Sequence, residues 1–156
     1  MKKTAINSPL GKLLLVEKDG YLVKILPGEE DCHDESELLT RTAGLLNDYF
    51  NKKAVDFSSL PLKPEGTPFQ KLVYDELRKV PYGKTASYKD IAQRVARQMG
   101  KERMSYQAIG TAIAKNDIII LIPCHRIINH DGRIGGFSLG IDKKKILMDL
   151  EDIEYD

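Results

Sequence analysis

Two neighbouring side chains in the last third of the chain could do chemistry together. Cys124 stands between Pro123 and His125, at the end of the aliphatic run "IIILI". A cysteine reacts as the thiolate, and the positive potential of His125 and Arg126 favours that form. A cysteine and a histidine can also serve as a nucleophile and its base. The pair is therefore the first candidate for a reactive site.

The segment that must position this pair is short and rich in isoleucine. Residues 117–123 are too few for a helix of their own and predict a buried strand or extended segment that ends at Pro123, which has no backbone donor. Adjacent residues on a strand point to opposite faces, so Cys124 and His125 would need a turn or a bridging water to cooperate. From the residues alone, a structural cysteine and a cysteine hydrolase both remain open.

The second cysteine has a different setting. Cys32 is followed by His33 inside the acidic stretch "EEDCHDES". Neighbouring carboxylates raise a thiol's pKa, which makes Cys32 a poor nucleophile. Cys32 and His33 could form half of a metal site, but no second pair has ligand spacing, so we expect no metal.

Charge is unevenly distributed along the 156 residues, although the chain as a whole carries only +1. Residues 67–116 hold ten Lys and Arg against four Asp and Glu, a local excess of +6. Such a concentration predicts contact with a polyanion, with solvated helix faces as the alternative.

The apolar runs and the N-terminal residues indicate the cellular location to expect. No apolar run in the sequence approaches the length of a membrane span, which takes roughly 18 residues. The N-terminus has no apolar segment typical of a signal peptide. We therefore expect a cytoplasmic protein that makes no membrane contact.

The first part of the chain has a mixed α/β pattern. Asp19-Gly20 separates two apolar runs and predicts a hairpin turn. Residues 35–50 place apolar side chains at helical spacing, and residues 54–57 suggest a short strand. The proline-rich segment 58–67 predicts a linker between a domain at 1–57 and a second domain at 68–156.

The second part has a helical pattern with clear start signals. Thr67 before Pro68, Ser87 and Ser105 are each predicted to cap a helix. The two helices after Ser87 and Ser105 lie in the basic segment and predict a helix-turn-helix. Asp142 is predicted to cap the last helix, whose first turn carries the three lysines of 143–145 against the helix dipole.

Three stretches together resemble one known family. "ILIPCHRIINHDGRIGGFSLGIDKKKILMDLE" resembles the active-site segment of the O6-alkylguanine-DNA alkyltransferases. "GTPFQKLVYDELRKVPYGKTASYKDIA" looks like the lead-in to that family's helix-turn-helix, and "SPLGKLLLVEKDGYLVKIL" looks like its N-terminal hairpin. The resemblance covers nearly the whole chain.

The resemblance implies both a fold and a function. The fold is α/β, with a small N-terminal RNase H-like domain followed by a mostly helical domain with a helix-turn-helix. The function is DNA repair, in which an alkyl group moves irreversibly from O6-alkylguanine, and from O4-alkylthymine, to the protein's own cysteine. The implied partner is double-stranded DNA containing the lesion, bound by a monomer without metal or organic cofactor.

The resemblance also implies roles for five residues. Cys124 accepts the alkyl group, and His125 deprotonates it through a water. Glu151 holds His125, and Asn116 braces the turn before Cys124. Tyr88 guides the target nucleotide out of the duplex and assists the leaving guanine.

A second set of residues is implied to contact DNA or the flipped base. These are Lys89, Gln107, Gly110, Arg126, Ile134, Gly135, Phe137 and Ser138.

Two members of this set depart from the family pattern. Gln107 stands where the family has an arginine that fills the gap left by the flipped base, and Arg103 could serve instead. Phe137 stands where the family has a tyrosine that donates to the guanine oxygen. A related group of non-enzymatic lesion binders lacks the cysteine, so Cys124 favours the active members over a helix-turn-helix protein that only binds lesions.

Overall fold

The computed structural model describes all 156 residues, which form two compact units. The first unit contains residues 1–65 together with 117–119, and the second contains residues 66–116 together with 120–156. A small sheet unit followed by a helical unit confirms the predicted fold class. The domains at 1–57 and 68–156, with a linker at 58–67, stay a prediction.

The first unit consists of a three-stranded antiparallel sheet in the order β1-β2-β3 and one helix. Its elements are β1 (Lys2–Ser8), β2 (Gly11–Lys18), β3 (Tyr21–Pro27) and α1 (Glu37–Phe50).

The predicted hairpin between β2 and β3 is confirmed. Asp19 adopts a φ of 53° and Gly20 a φ of 83°. Positive φ at both central residues is what a tight two-residue turn requires. Helix α1 packs on β1 and β2 through its apolar face. Strand β1, which pairs with β2 along its length, was not predicted from the sequence, and the strand predicted at 54–57 is wrong because these residues form no ladder.

The second unit is mostly helical. Its elements are α2 (Pro68–Arg78), β4 (Ala86–Ser87), α3 (Tyr88–Gln98), α4 (Tyr106–Ala114), a single 3-10 turn (Cys124–Arg126), β5 (Ile127–Ile128) and α5 (Ile141–Leu150).

The predicted caps of the first three helices are confirmed. The side chains of Thr67, Ser87 and Ser105 accept hydrogen bonds from the backbone N–H three residues later. At the first two of these caps, Gln70 and Asp90 accept in return from the capping residue's N–H, which completes capping boxes. Helices α2, α3 and α4 pack on one another. The predicted helix-turn-helix corresponds to α3 and α4, which begin after the caps Ser87 and Ser105.

Two local predictions in this part of the chain are wrong. Residues 117–123 form no regular strand: Ile118 makes a single bridge to Ile25 of β3, the residues after it form turns, and Ile120 has a φ of 73°. Such a φ is rare for a β-branched residue. The N-cap of α5 is Gly140, which lacks a capping side chain, and Asp142 lies in the first turn. There Asp142 still stabilises the positive helix end.

None of the helices combines the length and the apolar character that crossing a lipid bilayer requires.

Candidate active site

Cys124 lies at the beginning of the 3-10 turn, and only 3% of its surface is exposed. The side-chain amide of Asn116 donates to the Ile122 carbonyl at 2.9 Å and to Cys124 Sγ at 3.3 Å. Asn116 therefore closes the turn that precedes the cysteine and also offers a donor to its sulfur. Burial raises the pKa of the Cys124 thiol to about 11, although the Asn116 hydrogen bond and the charge of Lys144 act in the opposite direction.

His125 and Glu151 form a fully buried pair. His125 Nε2 lies 2.5 Å from Glu151 Oε2, although 26 positions separate the two residues. Burial lowers the pKa of His125, and the Glu151 carboxylate opposes this effect without overcoming it. We therefore describe His125 as neutral, with its Nε2–H donating to Glu151, which leaves Nδ1 as the basic nitrogen.

The other oxygen of the same carboxylate has its own donors. Glu151 Oε1 accepts from Arg126 Nε at 2.7 Å and from the Gly83 N–H at 3.0 Å. Burial raises the pKa of Glu151, but the hydrogen bonds from His125 and Arg126 and the charge of Arg126 outweigh it and bring the value to about 2. Glu151 is thus a carboxylate held from both sides.

Arg126 has a different place from the one implied by the resemblance. Its side chain is 9% exposed, and its Nη1 donates to the Val80 carbonyl at 2.8 Å. A guanidinium that is buried against Glu151 cannot reach DNA. Arg126 therefore belongs to the hydrogen-bonding network beneath the cysteine.

Lys144 is a buried residue of this site to which the sequence alone assigned no role. Its side chain is completely buried, and its ammonium donates to the carbonyls of Ile127, Ile134 and Gly136 at 2.6, 2.6 and 3.0 Å. An ammonium has three donors, so all three are satisfied. Burial lowers the pKa of Lys144 to about 8, and the nearby Cys124 charge raises it. The unfavourable lysines at the start of α5 were the available signal.

A cavity of about 280 Å³ lies above Cys124. A concave space of this kind is suited to one flat ring system. Its walls come from α3, α4 and the loop before α5. The lining residues are Tyr88, Gly110, Ile113, Ala114, Cys124, Gly136, Phe137 and Ser138.

Several residues assigned to the base-binding loop have other positions. The side chain of Ile134 is buried in a cluster with Met148 and Ile153. A Cβ at Gly135 would lie 3.4 Å from the Tyr88 ring, and the φ at this position is 74°. Both the close approach and the positive φ favour glycine there. Ile134 and Gly135 shape the loop, whereas Phe137 and Ser138 line the cavity.

The basic segment presents its charges to solvent. All ten Lys and Arg side chains of residues 67–116 are exposed except Arg94, which is half-buried. Lys89 lies exposed in the first turn of α3, and Gln107 lies exposed in the first turn of α4, outside the Cys124 cavity.

Comparisons with known proteins match both parts of the chain to one family. Residues 1–64 match the family described as "6-O-methylguanine DNA methyltransferase, ribonuclease-like domain". Residues 68–153 match "6-O-methylguanine DNA methyltransferase, DNA binding domain".

Individual relatives agree with this result. A methylated-DNA–protein-cysteine methyltransferase of Methanosarcina barkeri is 39% identical and covers 94% of both chains. The protein of the same name from Haemophilus influenzae is 34% identical and covers 97% of this chain and 87% of its own. The crystal structure of Mycobacterium tuberculosis OGT in complex with DNA superposes with a TM-score of 0.80 at 30% identity, covering 97% of this chain and 93% of that chain.

Proposed function

The chain belongs to the 6-O-methylguanine DNA methyltransferase family, and on that premise we propose that Cys124 is the residue that accepts the alkyl group. The protein is a DNA-repair methyltransferase that binds DNA and transfers a methyl or alkyl group from O6-alkylguanine to its own cysteine. One observation carries the assignment of the acceptor. Cys124 lines a cavity of the size of one base, and the neighbouring His125 is joined to a buried carboxylate.

The reaction is a direct displacement at the alkyl carbon. The Cys124 thiolate forms a C–S bond as the C–O bond to guanine breaks, and the electron pair passes to the guanine oxygen. Because the product is a thioether, the protein reacts once. The nucleophile and the leaving group suffice for this step, so we propose no metal or organic cofactor.

His125 supplies the base that forms the thiolate. With Nε2–H donating to Glu151, Nδ1 takes the thiol proton through a water, and Glu151 stabilises the resulting imidazolium. Asn116 donates to the sulfur, and the Lys144 ammonium adds positive potential near it. The raised pKa of the buried thiol makes such assistance necessary.

The substrate base reaches Cys124 only if it leaves the helical stack. A base inside a duplex is inaccessible, and extruding it costs a few kcal/mol. Tyr88 lines the cavity, and we propose that it guides the nucleotide and assists the leaving guanine. Contacts between phosphates and the exposed basic residues of 67–116, Lys89 among them, would offset the cost. Gln107 and Arg103 are the two candidates to fill the gap that the extruded base leaves in the duplex.

We propose double-stranded DNA with O6-alkylguanine, and also O4-alkylthymine, as the substrate of a monomeric protein. We also propose a cytoplasmic location, since a reducing compartment keeps the acceptor thiol free.

Intact-mass measurement tests the proposal. The protein is incubated with a duplex that contains O6-methylguanine, and its mass is compared with that of protein given an unmodified duplex. One added methyl group, mapped to the peptide that contains Cys124, is the expected result. Binding of the lesion without an adduct would indicate a non-catalytic lesion binder. An adduct on another residue would refute the assignment of Cys124.

A further inference from the structure

A second cavity of about 420 Å³ adjoins the one above Cys124, and most of its walls have no part in the reaction just described. The two cavities share Tyr88 and Gly110 in their walls. The remaining walls come from the first turn of α4 and from the turn after β5. They are Tyr106, Gln107, Asn129, His130 and Asp131.

Tyr106 is the most prominent side chain of this second cavity. It is the first residue of α4, and 46% of its surface is exposed. Beyond Gln107, the outward face of α4 carries only small residues, namely Gly110, Thr111 and Ala114. An aromatic ring therefore projects from the end of an otherwise flat helix face, next to the entrance of the base cavity.

His130 supports the ring of Tyr106 from the other side of the cavity. The two ring centroids are 6.1 Å apart, with the planes tilted by 56°. The turn that carries His130 is closed by two backbone hydrogen bonds, from the Asn129 N–H to the Arg133 carbonyl and from the Gly132 N–H to the Asn129 carbonyl. The aromatic pair is thus formed by two anchored elements of the same unit.

The chemistry of the walls selects a base over a phosphate. Tyr88, Tyr106 and His130 contribute aromatic rings, and Asp131 contributes a carboxylate that would repel a phosphate. No lysine or arginine lines this cavity. Stacking on aromatic rings accepts any base, because every base has a π-face.

We propose that Tyr106 and His130 form a stacking surface for the base next to the extruded nucleotide. This inference rests on the proposed function, since it requires a nucleotide in the cavity above Cys124. Bases along one strand are separated by about 3.4 Å, so the neighbour of a nucleotide held there lies within reach of the adjoining cavity. The ring of Tyr106 replaces the contact that this neighbour loses when its partner in the stack is withdrawn.

Single-turnover transfer from duplex and from free base tests the surface. Tyr106→Ala should slow transfer from an O6-methylguanine duplex by about ten- to a hundredfold, the usual effect of losing one base–aromatic stack. Transfer from free O6-benzylguanine, which has no neighbouring base, should stay at the wild-type rate. Tyr106→Phe keeps the ring and should restore the duplex rate. His130→Ala should give a smaller loss, also confined to the duplex.

Tyr21→Ala provides the matched control, because Tyr21 is 42% exposed and lies in the first unit. It should change neither rate, and thermal unfolding midpoints show that each variant is folded. A wild-type duplex rate in Tyr106→Ala would overturn the proposal, as would a Tyr106→Phe variant as slow as Tyr106→Ala. Wild-type protein that transfers nothing from the duplex would instead refute the proposed function.

Discussion

The chain contains the dipeptide Cys-His twice, and each copy has a carboxylate and a lysine close to it. Cys32 and His33 lie near Glu30 and Lys3 in the first unit. Cys124 and His125 lie near Glu151 and Lys144 in the second unit. The same four residue types therefore occur in two settings, and the difference between them shows what a reactive site requires.

In the first setting the four groups do not act together. Lys3 Nζ forms a 3.5 Å ion pair with Glu30, and both side chains are exposed. Partial burial raises the pKa of Cys32, and the charges of Glu30 and Asp34 raise it further. The backbone of this segment pairs with β1, where the Ala5 N–H donates to the Cys32 carbonyl. The segment completes the edge of a sheet.

In the second setting the groups are held by defined hydrogen bonds. Glu151 accepts from His125 and Arg126, and Lys144 donates to three carbonyls of the loop that forms the cavity. Cys124, like Cys32, has a raised pKa, so neither cysteine is a thiolate at rest and the protonation state does not distinguish them. The distinguishing features are a buried acceptor for the histidine, a donor for the sulfur and a cavity for the substrate.

The largest expected effect separates the two cysteines directly. Cys124→Ala should abolish methyl transfer, whereas Cys32→Ala should transfer at the wild-type rate. The measurement is the intact mass of each protein after incubation with an O6-methylguanine duplex. Cys124→Ala should still bind the lesion in a gel-shift measurement, because the DNA contacts lie elsewhere. Transfer by the Cys124→Ala protein would make Cys32 a competent acceptor and erase the contrast.

The next effect concerns the two carboxylates. Glu151→Gln should slow single-turnover transfer by about a hundredfold, since His125 loses the carboxylate that stabilises its protonated form. Glu30→Gln is the matched control and should leave the rate unchanged. Rates are expressed per folded molecule, because removing one partner of a buried pair also destabilises the fold. Equal rates for both variants would show that the 2.5 Å contact between His125 and Glu151 has no role in the reaction.

Acid unfolding gives a third contrast between these carboxylates. The pKa of Glu151 falls from 4.5 to about 2 on folding, despite the burial that raises it, because of His125 and Arg126. This shift corresponds to a contribution of about 3 kcal/mol by the Glu151 carboxylate to the free energy of unfolding. The contribution is complete above the unfolded-state pKa and is lost as the pH falls through the folded-state pKa. Denaturant titrations across this range should show a shallower loss in Glu151→Gln than in wild type. Glu30→Gln should follow wild type, and three superimposable profiles would contradict the linkage.

The smallest expected effect concerns the two lysines. Lys144→Met should slow transfer by about tenfold, because three carbonyls of the cavity loop lose their common donor and the loop shifts. Lys3→Met should have no effect on the rate. Burial lowers the pKa of Lys144 to about 8, so a change in the wild-type pH–rate profile near that pH should be absent from Lys144→Met. A variant profile identical to that of wild type would mean that the ammonium does not position the loop.

Features that depend on local sequence were predictable. The caps at Thr67, Ser87 and Ser105 need only residues within one helical turn, and the Asp19-Gly20 hairpin needs two residues. These signals sufficed for the helix-turn-helix and for one edge of the sheet.

Features that depend on distant partners were not predictable from the residues alone. The contact between His125 and Glu151 spans 26 positions, and only the family resemblance suggested it. Lys144 was seen as an unfavourable charge at a helix start, because nothing in the sequence shows that its side chain turns inward. The strand predicted before Cys124 does not form, because the chain turns at Ile120 in a conformation that a β-branched side chain disfavours, and Asn116 closes that turn through the Ile122 carbonyl.

Burial of Cys124 also bears on how long an unused molecule lasts. A protein that reacts once is useful only while its thiol is intact, and oxidants consume the thiolate form of an accessible cysteine. With a pKa of about 11 and 3% exposure, Cys124 presents almost no thiolate to peroxide or to diffusing alkylating agents. The burial that makes thiolate formation depend on His125 therefore also protects the thiol of unreacted protein until a damaged base enters the cavity.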